Sequence, residues 1–343
     1  AAISAAISRP WRAIQAVCHI SITTAAPSTA ALSSSWPAPS KALAIASANS
    51  ATTPAPSAPA TTPAATQLPR PATPRVSGPT PAMAVRRFRS PHTRFPHAQF
   101  LSNGSYTTVV TNAGGGASFF RGRSVTRHRE DPTRDPGSQF LYLRDVRSGR
   151  VWSPTFQPIL EEPQDYVVTF LPEKATFQRR EDDIATQLDV AVSTEDDVEV
   201  RRLAVTNHSD RPREIEITSC AEIVLSPAAD DLAHPAFGKL FIETEYLPEN
   251  AALLCHRRPR ASDEAAAWAV HVLSLEGRTQ GPVEWETDRT RFLGRGRGPD
   301  SPQALDGRSL SGTTGFVLDP IVSLRQRIRL APGGFVRLSF ALG

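Results

Sequence analysis

From about Phe100 to the end of the chain, apolar and polar residues alternate with a period of two, in runs bounded by Gly, Pro, Asn and Asp. The runs SYTTVVTN, QFLYLRDV, DYVVTFL, DIATQLDVAVS, VEVRRLAVTN, REIEITSCAEIVLS, KLFIETEYL, AWAVHVLSL and IVSLRQRIRL carry this alternation or are rich in β-branched residues. Successive side chains of a strand point to opposite faces, so these runs predict strands with one face buried. No long window has helical spacing. TNHSDRP (Thr206 to Pro212) and APGG (Ala331 to Gly334) hold the residues that tight turns need. Many strands, little helix and short turns predict an all-β fold of packed antiparallel sheets. With about 240 residues in it, the fold must be larger than a simple sandwich.

Residues 1–96 read differently. Ala, Pro, Ser and Thr dominate, as in SANSATTPAPSAPATTPAATQLPRPATPRVSGPTPA. Ordering a residue costs about 1–2 kcal/mol of backbone entropy, and a segment with so few large apolar side chains cannot offset it. A disordered leader over 1–96 and a folded domain over 97–343 are therefore expected. A short helix over Ala1 to Ala26 would be interrupted at Pro10. The acid-free, Arg- and Ser-bearing N-terminus resembles an organelle transit peptide, although the chain begins with Ala.

Charge is distributed just as unevenly. No Asp or Glu precedes Glu130, while 13 of the 38 Lys and Arg do. The remainder holds 25 basic against 34 acidic residues, so a part at +13 and a part at −9 average to the net +4. The basic balance is therefore no signature of a nucleic-acid partner. A run of 129 residues without an acid is unusual enough that we hypothesise a shifted reading frame or a misplaced start for much of the leader. A peptide from residues 30–90 found in the native protein by mass spectrometry would refute this.

Cys18, Cys220 and Cys255 are odd in number and far apart, with no CxxC pair, so neither a disulfide framework nor a zinc site is indicated. No HxH or HExxH arrangement involves His208, His234 or His271, and no metal or other cofactor is expected. No apolar run reaches the ~18–20 residues of a membrane span, and no direct membrane contact is expected. TNAGGGAS (Thr111 to Ser118) and LGRGRGP (Leu293 to Pro299) lack a following helix for a phosphate cradle and read as tight turns, with Arg295 and Arg297 in an exposed basic loop. The pairs Asp182 and Asp183, Asp196 and Asp197, and Asp230 and Asp231 read as solvated turns. Trp152, Trp268 and Trp285 read as core or inter-sheet packing, and Cys220 as a small buried hydrophobe.

SVTRHREDPTRDPGSQFLYLRDVRSG (Ser124 to Gly149) is the densest mixture of acids and bases. Its acids are Glu130, Asp131, Asp135 and Asp145; its bases are Arg127, Arg129, Arg134, Arg144, Arg147 and Arg150. Two carboxylates hydrolyse a glycoside when one stays protonated and the other ionised. Here every acid has Arg neighbours that favour ionisation, so no catalytic residue is assigned.

FLSNGSYTTVVTNAGGG, SVTRHREDPTRD, FLYLRDVRSGRVWS, VEVRRLAVTNHSDRPREIEITSCAEIVL, HPAFGKLFIETEYLP, TDRTRFLGRGR and GFVLDPIVSLRQRIRLAPG follow one another in an order that resembles the N-terminal β-supersandwich domain of glycoside hydrolase family 94, formerly glycosyltransferase family 36. In style they are closest to the phosphorylase-like region of cyclic β-1,2-glucan synthases. The resemblance covers about residues 95–343. It implies a galactose-mutarotase-like antiparallel supersandwich with carbohydrate-binding character, followed in the family by an (α/α)6 barrel that carries the catalytic acid and the phosphate site. That barrel is expected to be absent from this chain, which ends at VRLSFALG, so the chain is expected to be inactive alone.

The implied partners are a β-glucan or oligosaccharide, the catalytic barrel, and a second copy in a homodimer. The implied location is cytoplasmic, in a parent protein associated with the inner membrane. The sequence departs from the family pattern Thr-Arg-Trp-Arg-Glu-Asp at His128, and Phe119 and Phe120 stand where the family has Tyr and Trp nearby. Two readings of the charged stretch stay open. It is either a turn with locally paired charges, or a loop that walls a sugar cleft through Arg127, Arg129, Asp131, Arg134 and Asp135, whose forks and carboxylates suit vicinal hydroxyls. The corresponding functions are a carbohydrate-binding architectural domain, or a docking and dimerisation domain without sugar affinity.

Overall fold

A computed structural model describes residues 85–129, 137, 139–262, 264–277 and 279–343. Two antiparallel sheets contain almost all of the regular structure. The first has ten strands in the order Arg86–Phe88, Asp165–Phe170, Ala175–Glu181, Ile184–Val192, Glu199–Asn207, Phe335–Leu342, Ala267–Glu276, Ala252–Arg257, Ile242–Leu247 and Gly315–Phe316. The second has nine. Seven run in the order Thr279–Asp288, Pro320–Leu330, Arg213–Pro227, Arg123–Thr126, Gly116–Phe120, Tyr106–Thr111 and Ala98–Ser102; Gln139–Asp145 also pairs with Arg213–Pro227, and Val151–Trp152 lies beyond it.

The period-two pattern decides which side chains meet. Phe177, Leu188, Leu203, Leu338 and Phe340 of the first sheet share one buried cluster with Leu143, Ile217, Leu324 and Ile328 of the second. Burying each such side chain stabilises the fold by about 1.5–3 kcal/mol. Tyr246 and Trp285 bridge the sheets as a stacked pair with ring centroids 3.7 Å apart, and Trp152 is buried in the same core. Cys220 and Cys255 are buried free thiols, and burial raises the Cys255 pKa to about 12.

The inner faces are not wholly apolar. Glu199, Arg201, Ser219 and His271 are buried there. Arg201 Nε donates to Glu199 Oε1 at 3.1 Å. His271 Nδ1 lies 3.0 Å from the Ala341 carbonyl, and Nε2 lies 2.8 Å from Ser219 Oγ. A carbonyl only accepts, so Nδ1 carries the proton and Nε2 accepts from the serine. Desolvation holds the imidazole neutral, with its pKa lowered to about 4.

Several expectations needed revision. Among the described residues pairing begins at Arg86, whose strand runs antiparallel to Asp165–Phe170 and lies within the leader expected over 1–96. Thr279–Asp288 is a strand although its pattern gave no sign of one. Gly281 and Pro282 break the alternation where the register shifts between Gln280 and Glu284, and such bulges tolerate both residues. Trp268 is 37% exposed and stacks on His256, its cross-strand partner, because it falls on the outer face of its sheet. Asp231 is no solvated turn: it is 7% exposed on the short helix Ala228–Ala233. Residues 1–84 of the leader expected over 1–96 lie outside the described residues.

Candidate functional site: the Arg127 network

The strand Arg123–Thr126 ends against Arg127, whose side chain turns inward and is 6% exposed. Its Nε and Nη2 donate to Asp231 Oδ2 and Oδ1 at 3.1 and 2.9 Å, a side-on fork. Nη1 donates to Glu222 Oε2 at 2.9 Å. Burial opposes the charge on Arg127, and Asp231 and Glu222 outweigh it, so its pKa lies above the ordinary guanidinium value. The network continues outward. Arg289 Nε donates to the other Glu222 oxygen at 2.6 Å, and Lys239 Nζ lies 2.5 Å from Asp319 Oδ1.

Local geometry brings these residues together. The strand Arg213–Pro227 passes from pairing with Gln139–Asp145 to pairing with Arg123–Thr126 between Ala221 and Ile223, and then shifts register against the latter between Ile223 and Ser226, with Leu225 at φ 55°. Beyond it the chain enters the short helices Ala228–Ala233 and Pro235–Lys239, which present Asp231 and Lys239.

The loop that follows Arg127 is fixed at both ends. A Cβ on Gly137 would lie 2.8 Å from the Arg127 carbonyl oxygen and 2.9 Å from that of Gly116, so the returning chain passes where only glycine fits. Gly116 N donates to Gly137 O at 2.6 Å. Gly116 is itself required: at φ 151° its Cβ would meet Val109 O at 1.8 Å.

Of the residues expected to meet sugar, Arg127 is committed to protein carboxylates and Arg129 is exposed. Asp131, Arg134 and Asp135 lie outside the described residues. The local pairing expected within the turn rests on Glu130, Asp131, Arg134 and Asp135, which lie outside the described residues, whereas the described arginines on either side of it find distant partners. Arg127 reaches residues 95 and 104 positions away, Arg144 pairs with Glu216 at 3.0 Å, and Arg150 meets Glu161, Glu181 and Asp182 within 2.7–2.9 Å. The cause is strand pairing, which sets the ends of Gln139–Asp145 beside distant carboxylates. Burial opposes ionisation of Asp145, but the Ser148 N–H and the Arg213 guanidinium outweigh it and lower its pKa. Its environment is the reverse of a general acid's.

Sequence reasoning missed Glu222, Asp319, Lys239 and Arg289. Only the alternation on Arg213–Pro227, which puts Glu222 on the face of Glu216 and Thr218, could have placed one of them.

Exposed apolar side chains stand close in sequence to the network members. Leu232, Phe237, Leu240, Phe316 and Leu318 are 48–78% exposed, five of the eleven exposed large hydrophobics among the described residues. Each lies within three residues of a network member: Leu232 beside Asp231, Phe237 and Leu240 flanking Lys239, Phe316 and Leu318 before Asp319. Two shallow clefts, of about 210 and 240 Å³, lie elsewhere, lined by Asp145, Arg213 and Arg329 and by Glu216, Glu284 and Arg325 respectively. Among the described residues no three His, Cys, Asp or Glu side chains are grouped to hold a metal, and no helix is long and apolar enough to cross a membrane.

The sequence model of the family described as Glycosyl hydrolase 94, supersandwich domain, matches residues 81–343. The chain belongs to this family. The supersandwich is 36% identical over 257 residues to the cyclic beta-(1,2)-glucan synthase NdvB of Rhizobium meliloti, which covers 75% of this chain and 9% of that protein. It is 26% identical over 254 residues to the N,N'-diacetylchitobiose phosphorylase of Vibrio proteolyticus, 72% of this chain and 31% of that one. The chain thus spans a third or less of the length of these curated relatives. Among solved structures, a galactose mutarotase related enzyme from Lactobacillus acidophilus aligns with 72% of this chain and 96% of its own, at 10% identity and a TM-score of 0.32.

Proposed function

We propose that this supersandwich is the architectural, carbohydrate-binding domain of a family 94 β-glucan synthase or phosphorylase, and that the 128–136 loop is its sugar-facing element. The observation that carries the reading is the fixed base of that loop. Arg127 is locked to Asp231 and Glu222, Gly137 closes on the Arg127 carbonyl, and Arg129 projects outward between them. Anchored beside Arg127, the exposed Arg129 can present a planar guanidinium donor to vicinal hydroxyls. The similarity to a cyclic glucan synthase makes a β-1,2-linked glucan the first ligand to test. Calorimetric titration of the full chain with linear and cyclic β-1,2-glucans should give millimolar or tighter binding, weakened at least tenfold in Arg129→Ala.

A second reading has its own support in the five exposed apolar side chains. Exposed Leu and Phe side chains near paired charges in the sequence suit docking to another protein domain or a second copy. Absence of any glucan binding by a chain with intact near-UV dichroism would favour that reading over the first.

A further inference from the structure

Arg257 closes the strand Ala252–Arg257 and is 1% exposed, the largest fully buried side chain among the described residues. Its Nη1 donates to the Gly238 carbonyl at 2.8 Å, and its guanidinium carbon lies 5.4 Å from the centre of the Phe241 ring. Its Nε and Nη2 are buried and meet no acceptor among the described residues. These two atoms form the same side-on fork with which Arg127 grips Asp231. A buried donor without an acceptor costs about 1–3 kcal/mol, and more when charged, so a native fold rarely leaves two on one guanidinium.

Among the described residues the surroundings add positive charge without supplying an acceptor. Arg123 Nη1 is also buried and without a hydrogen-bond partner; its nearest carboxylate oxygen, Glu264 Oε1, is 3.8 Å away. The nearby acids are engaged by Arg260: Glu264 Oε2 accepts from its backbone N–H at 2.8 Å, and Asp230 Oδ2 from its Nη2 at 2.5 Å. Burial and then Arg260 lower the Arg257 pKa, although a guanidinium stays charged at any physiological pH. Asp230, Arg260 and Arg123, which act electrostatically on Arg257, are about a third exposed.

We propose that Arg257 and Arg123 form an oxyanion-binding site, with two oxygens of a phosphate or carboxylate group on the Arg257 fork and Arg123 at its margin. The bidentate geometry selects a planar or tetrahedral group with paired oxygens over a halide. The site is separate from the Arg127 network, and its failure would leave the sugar-facing reading untouched.

Titration of the full chain with inorganic phosphate, with acetate and with chloride at matched ionic strength tests it. Saturable binding of phosphate or acetate, at least tenfold tighter than chloride, is expected. Preference for phosphate identifies a phosphate group as the ligand, and preference for acetate identifies a carboxylate. Arg123→Gln, a partly exposed position, should weaken binding at least fivefold without changing the unfolding midpoint in chloride. Arg257→Lys, which keeps the charge but loses the fork, should abolish the preference over chloride. Equal, weak effects of all three anions would overturn the proposal, as would unchanged binding in Arg123→Gln and Arg257→Lys. Phosphate binding gained only in Asp263→Asn, at a position outside the described residues, would mean that the chain's own carboxylate takes the fork, and would overturn it too.

Discussion

Arg127 and Asp231, 104 positions apart in sequence, meet as a two-pronged buried ion pair with N–O distances of 2.9 and 3.1 Å. Both side chains are less than a tenth exposed, so each depends on the other to remain charged out of water. Breaking such a pair costs about 3–5 kcal/mol, largely through the charge left unmatched. Asp231→Asn is expected to destabilise the chain by about 3 kcal/mol in urea denaturation. The double replacement Arg127→Met with Asp231→Leu should recover most of that loss. Equal destabilisation by the single and double variants would show that the pair is not the source.

The buried histidine sets a pH dependence. The folded-state pKa of His271 is lowered to about 4, whereas an unfolded chain has about 6.5. Between these values the unfolded state binds the extra proton, so stability is complete above pH 6.5 and falls as pH drops towards 4. The loss is at most about 3 kcal/mol. Urea midpoints measured from pH 7.5 to 4 should decline in the native chain, and His271→Gln should remove most of that decline. A parallel decline in the variant would assign it to carboxylates such as Asp145 and Glu216, whose pKa values are also lowered.

Gly137→Ala should loosen the loop base. A Cβ there meets two carbonyl oxygens within 2.9 Å, and backbone must move to admit it. Limited trypsin digestion, read by mass spectrometry at Arg129 and Arg134, is expected to proceed at least tenfold faster in the variant. An unchanged rate would show that the glycine does not hold the loop.

Replacing Phe237 and Leu318 with Ser should leave stability within about 0.5 kcal/mol, because both side chains are already more than half exposed. Under the docking reading, the same pair of substitutions reduces self-association in sedimentation at high protein concentration. Retained association would place the contact elsewhere.

Cys220 and Cys255 should react with a thiol reagent only after denaturation. Burial keeps both thiols protonated and out of contact with water. Modification of either at the native-state rate of a free thiol would contradict their placement in the core.

The alternation in strands such as Ile184–Val192 and Pro320–Leu330 was legible because a half-buried strand demands it, and the ordered motifs were legible because the family keeps them in one succession. Thr279–Asp288 was not, since its bulge residues interrupt the period. Trp268 was misplaced because an aromatic in a strand does not disclose which face carries it.

The sequence by itself determined the all-β class, the family and the position of the charged loop. The class follows from residue types at short spacing, and the family from the order in which its motifs succeed one another. The tertiary structure alone decided that Arg127 turns inward to Asp231 while Arg129 turns outward, and that Arg257 is buried with its fork unmatched. These outcomes depend on which strands pair and where one of them shifts register. Charge partners brought together across a hundred residues leave no local pattern, because Coulomb attraction acts through space and the sheet sets the distances.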